Sequence, residues 1–193
     1  MVRTAFRVVL AATAVTAIGL APGVASAATA GPSVLAYSSA GPSGGDPNTI
    51  VTFTVTVGAL SMTAPVSANL GSGAPGSTIS GALGPVTVTD NRALLSASWS
   101  ASASSTAWTT GGGTPSETIP ATDGGYVPGS ITTTGTITAT GTSITLSGAA
   151  TPVVTGTAGV GNNTATWNPT ISVAVPAAAV GGIYTGTLTQ SVS

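Results

Sequence analysis

Asp90 and Arg92 stand two positions apart in "VTVTDNRALLSASWSASAS". An acid and a base at that spacing could bind a charged ligand, move a proton, or close a turn. Apart from them the chain has little to do chemistry with: its other acids are Asp46, Glu117 and Asp123, its other bases Arg3 and Arg7, and it contains no histidine and no cysteine. Without those two residue types there is no Ser-His-Asp triad, no thiolate nucleophile, no Cys/His zinc site and no disulfide. The carboxylate chemistry that remains is the paired-acid hydrolysis of glycosides, which needs two acids on either side of one bond. Asp90 with Glu117 or Asp123 is the available stock, and nothing in their spacing brings them together, so an enzyme is not expected. Calcium takes six to eight oxygens, often from a run of alternating acids. Glu117 and Asp123 share a carbonyl-rich loop, but no D-x-D-x-D run exists, and neither metal nor cofactor is expected.

For Asp90, Asn91 and Arg92 the expected role is a structural turn. Aspartate can accept backbone N–H bonds two residues on, asparagine tolerates the left-handed conformation of tight turns, and the guanidinium can cross back to the carboxylate. A ligand-binding role is the alternative. "TTGGGTPSETIPATDGG" (109–125) is a long Gly- and Pro-rich connection holding Glu117 and Asp123 and bordered by Trp108 and Tyr126. Loops of that length are often functional, and these four residues are the candidate ligand site, the aromatics offering faces on which a sugar ring could stack. Covering the end of the fold is the simpler role for both rings.

The elements that must position these residues read as strands. In "TIVTFTVTV" Val51, Phe53, Val55 and Val57 alternate with Thr52, Thr54 and Thr56, the period of two that marks a half-buried strand. "VTVTD" followed by "LSASWSASA" reads as a hairpin, with Trp99 pointing to the core between Ala97 and Ala101. Shorter strands are expected at 60–65, 77–83, 130–138, 142–147, 151–156, 164–175 and 183–192. Some eight to ten short strands between Gly/Pro turns predict an all-β, immunoglobulin-like antiparallel β-sandwich over 49–193. The threonines of "TGTITATGT" (134–142) fit an exposed strand face.

Residues 1–27 read as a secretory signal peptide, with Arg3 and Arg7 before an apolar stretch and Ala25-Ser26-Ala27 as the cleavage site. The apolar run is shorter than the roughly 20 residues that cross a bilayer, so no stable membrane insertion is expected after cleavage. Residues 28–48, rich in Gly, Pro and Ser, read as a flexible lead-in. Cleavage leaves Arg92 as the sole basic side chain against four acids. That excludes the clustered Lys/Arg footprint of nucleic-acid binding.

"VTVTDNRALLSASWSAS" upstream of "WNPTISVAVPAAAVGGIYTGTLTQSV" resembles the WxL-type surface domains of Gram-positive bacteria and their secreted relatives in high-GC lineages. There a "VTDxR" turn leads into a strand bearing a Trp, and a "YTxTLTW" strand closes the domain. The similarity runs from about Thr49 to Val192. It implies an all-β, non-enzymatic envelope protein, extracellular or held non-covalently on the cell wall, whose partner is peptidoglycan, another surface glycan or another surface protein. The family's Trp-x-Leu positions fall here on Trp99-Ser100-Ala101 and Gln190-Ser191-Val192, making Trp99 and Gln190 the wall-association positions by resemblance. A carbohydrate-binding module using the loop aromatics is the alternative.

Overall fold

Alternating Val/Thr and Ala/Ser stretches, with no charge to repel neighbours, give the backbone little choice but to pair, and the computed structural model is all-β. It describes residues 49–193; the expected signal peptide at 1–27 and the expected lead-in at 28–48 lie outside the described residues. One antiparallel sheet contains β1 (Leu60–Thr63), β3 (Val86–Asp90), β4 (Ala97–Ser105), β8 (Ile131–Gly141), β10 (Thr151–Trp167) and β12 (Leu188–Val192). The other contains β2 (Thr78–Ala82), β7 (Gly124–Val127), β9 (Ile144–Thr145) and β11 (Thr170–Ala174), in the order β2-β11-β7-β9. β5 (Trp108–Thr109) and β6 (Thr118–Ile119) form a small ribbon. Among the described residues no helix is long and apolar enough to cross a membrane.

The two sheets make a β-sandwich whose core draws on both. Val86, Val88, Trp99, Ala101, Ala103, Ala165 and Trp167 come from the first sheet, Tyr126 and Ile171 from the second, and Leu146 lies just beyond β9. Along β4 every second residue from Ala97 to Ser105 is buried, as its period of two predicts. Trp99 fits because Gly156 of β10 lies opposite it in the ladder, where a Cβ would overlap the indole.

β10 organises the larger sheet. β8 runs beside it through most of its length, while β3 pairs with Asn163–Trp167 and β4 with Thr151–Gly159. Both are antiparallel to β10, so β3 and β4 run in the same direction, one after the other. The hairpin expected at this place does not form: residues 91–96 step out of line and the chain continues instead of reversing. Ala93, at φ 53°, takes the left-handed conformation within that step. β1 pairs with β3 and β12 with β4, so these two short strands lie end to end along one edge of the sheet.

The strands expected at 151–156 and 164–175 are also redrawn, one strand, β10, running through to Trp167 and β11 starting at Thr170 in the other sheet. A further departure is at the start. Ile50, Val51, Phe53, Val55 and Val57 are 70–86% exposed, and residues 49–59 belong to no strand. The strand expected over "TIVTFTVTV" is absent from the sandwich. The alternation records a capacity to pair, and no described strand takes it up.

Candidate functional site

The most structured polar site is built where β3 ends. Asp90 is the last residue of β3, flanked in the sheet by Leu60 of β1 and Asn163 of β10, and its side chain is fully buried. One oxygen, Oδ1, accepts the Arg92 backbone N–H at 3.0 Å and Nε at 2.9 Å, and Oδ2 accepts Nη2 at 2.8 Å. Nη2 also donates to the Ser98 carbonyl at 2.9 Å. The side-chain hydrogen bonds from Arg92 hold the Asp90 carboxyl below the usual carboxylate range against the opposing effect of burial, and the same contacts raise the Arg92 guanidinium. Arg92 thus bridges the step between β3 and β4, fastening the outgoing chain at Ser98. Asn91 completes the join: its N–H donates to the Ala59 carbonyl and its own carbonyl accepts the Gly58 N–H. A carboxylate in a two-pronged pair, sealed from water, has no oxygen exposed to a substrate.

A second cluster crosses between the sheets. Trp167 Nε1 on β10 donates to the Tyr126 hydroxyl on β7 at 2.9 Å, and that hydroxyl donates to Gln190 Oε1 on β12 at 3.0 Å. Tyr126 is fully buried, and burial pushes its hydroxyl up to about 12. The chain buries this hydroxyl because both of its hydrogen-bonding capacities are met. Sequence reasoning placed Tyr126 on a loop rim and did not find this cluster. A signal existed in Gln190, an amide at an inward position of the alternating Leu188, Gln190, Val192 series.

The loop candidates do not converge as a group. Glu117 is bound locally, its Oε2 accepting the Thr114 N–H at 3.0 Å and the Thr114 hydroxyl at 2.7 Å, which holds its carboxyl below the ordinary value. Asp123 ends a short 3-10 turn, Ala121–Asp123, immediately before β7. Among the described residues no group of three or more acidic side chains is placed to hold a metal ion. Tyr126 is in the interior and offers no face to a ligand. Trp108 remains half-buried between Gly124 and Gly186, whose closeness to the ring excludes a Cβ at either. It lines two adjoining cavities, one of about 220 Å³ with Leu70, Leu83, Ile171 and Leu188, the other of about 610 Å³ with Ile79, Val180 and Tyr184.

The two wall-association positions both point inward. Trp99 is 4% exposed, and the Gln190 amide is held by Tyr126. Each is part of the packing between the sheets, and a tryptophan at 190 would have to displace the Tyr126 contact rather than add a surface one. Compared with protein-family models, curated proteins and solved structures, the chain matches none.

Proposed function

We propose that this chain is a secreted, non-enzymatic β-sandwich of the bacterial cell envelope, a diverged relative of the WxL-type surface domains, with a structural or surface-association role at the wall. The observation that carries the reading is how the described carboxylates are used. Asp90 is sealed in its pair with Arg92 and Glu117 is held by Thr114, which favours a scaffold over a catalyst. With Trp99 and Gln190 turned inward, contact with a glycan or a surface protein falls to the outer Ser, Thr and Asn groups. Such contact has few ion pairs for salt to screen. Purified chain should therefore sediment with isolated cell walls equally at low and high salt; loss at high salt, or no sedimentation at either, overturns the reading.

One observation favours a second reading, that of a carbohydrate-binding module: Trp108 lines both cavities, where an indole face could meet a sugar ring. In a glycan screen, binding that Trp108→Ala abolishes without unfolding the chain would select this reading.

A further inference from the structure

The segment Ile50–Val57 has the pattern of a strand and the environment of none. Its even face is Ile50 and three threonines, its odd face Val51, Phe53, Val55 and Val57, the apolar residues all largely exposed. Apolar residues at strand spacing are the means by which an extended segment adds itself to the edge of another sheet, main-chain hydrogen bonds supplying affinity and alternate side chains filling pockets.

Its own nearest edge is closed to it by the way the chain enters β1. The Gly58 N–H donates to the Asn91 carbonyl at 2.7 Å and the Ala59 carbonyl accepts the Asn91 N–H at 3.0 Å, so both residues between the segment and β1 are already extended along β3. To fold back on the outer side of β1 the chain would need its turn at those two positions. Nor can the segment continue the ladder inward, because its would-be partner leaves the strand line after Asn91, and the Ser193 terminus is bonded to Ser100 further along. No described strand pairs with the segment.

An edge that fits it lies on the same molecule's outline. β12 and β1, end to end, form an outer edge that no described strand pairs with, and their inward residues Leu60, Met62, Leu188 and Val192 are only partly buried against the core. The cavity of about 220 Å³ opens beside Leu188, lined by Leu70, Leu83 and Ile171 together with Ser67, Thr187 and Gln190, and by volume it has room for an aromatic ring. Sheet edges are ordinarily guarded by charge or proline. Neither "LSMT", "LTQSV" nor "IVTFTVTV" carries either.

We infer that Ile50–Val57 is a donor strand for a second copy of this chain, adding to the β12–β1 edge of that copy with Phe53 at the cavity beside Leu188. Donor and acceptor are different surfaces, so the contact is head-to-tail and builds a ring where the rotation between copies closes and an open chain of subunits where it does not. The inference rests on backbone placement and is independent of the wall-association reading.

The test is sedimentation velocity on the purified chain across a concentration series. The mean mass should rise with concentration to about twice the monomer's or beyond. Phe53→Asp should remain monomeric while melting at the temperature of the dilute, monomeric parent. A synthetic peptide of residues 49–58 in excess should return the parent to monomers carrying peptide. Val192→Asp, with its donor intact and its acceptor spoiled, should be monomeric alone and pair one to one with Phe53→Asp. A parent that stays monomeric at its highest soluble concentration overturns the inference, whether its segment docks on its own copy or awaits another protein. So do oligomers that Phe53→Asp or the peptide leaves intact, an arm that decides the matter even if Val192→Asp fails to fold.

Discussion

The step at Asp90–Arg92 and the segment at Ile50–Val57 meet at a single point, where Asn91 bonds Ala59 and Gly58, and they are opposites. On one side of that point an ion pair, rare in so uncharged a chain, has its carboxylate fully buried and its main polar groups satisfied. On the other side a run of four large apolar side chains stands in water. In an ordinary sandwich the charged residues would be outside and the Val/Phe face inside. The inversion teaches that local residue type did not decide burial here. Asp90 could go in because Arg92 is two residues away with the reach to match both of its oxygens. "VTFTVTV" stayed out: Gly58 and Ala59 at its end are extended along β3, and no described strand pairs with it.

The sharpest way to break this comparison is to remove the packing on which the buried side depends. Trp99→Ala should cost about 3–5 kcal/mol, the range for deleting a buried aromatic, because Gly156 opposite cannot fill the void. Urea denaturation measures it, and a loss below about 1 kcal/mol would mean that the step at residues 91–96 does not fix the face of β4.

Next in size is the clasp. Arg92→Ala leaves a buried carboxylate without its partner and should cost about 2–4 kcal/mol at neutral pH, somewhat below the full range for breaking a buried pair because Arg92 itself reaches solvent. Asp90→Ala should cost less, since the arginine left behind can turn to water. The pH dependence carries the sign. In the parent the folded carboxyl titrates below its unfolded value of about 3.9, so the pair's stabilisation is fully present above that value and is lost as the pH falls through the lower, folded one. In Arg92→Ala, burial without a partner raises the folded value, so acidification should shrink the penalty. Melts at neutral pH and near pH 3 should bring the two proteins closer together; a gap that widens in acid would contradict the assignment.

Tyr126→Phe removes the hydroxyl between Trp167 and Gln190 and strands a buried donor and acceptor, for a cost of about 1–3 kcal/mol. Gln190→Ala on that background should then add little, because the two residues act as one unit. The smallest effect belongs to the exposed side: Phe53→Ser should change the stability of the dilute chain by no more than about 0.5 kcal/mol.

Much of the fold was legible in the sequence because period-two alternation is local. It located β1, β2, β4, β8 and β12 and pointed Trp99 inward. Its limits are equally physical. "TDNR" has the chemistry of a tight turn, but whether the chain reverses after it depends on β10, more than sixty residues away, which offers one edge long enough for β3 and β4 in succession. Likewise the alternation in "TIVTFTVTV" specifies a face and is silent about a partner. At the candidate site the Asp90–Arg92 contact was readable from spacing alone. Tyr126 was not, because its burial follows from β7 pairing with β11, which draws the residue away from the loop it borders in the sequence.

Hydrogen exchange on the parent at low and high protein concentration compares the two regions in one experiment. Amides of β3 and β4 should exchange only through global opening at either concentration. Those of Val51–Val57 should exchange freely when dilute and become protected when concentrated, as they pair with another copy's edge. Protection of Val51–Val57 in the dilute monomer would contradict the account, because it would place the segment in its own sheet; so would free exchange at every concentration, which would leave the segment with no partner in a second copy.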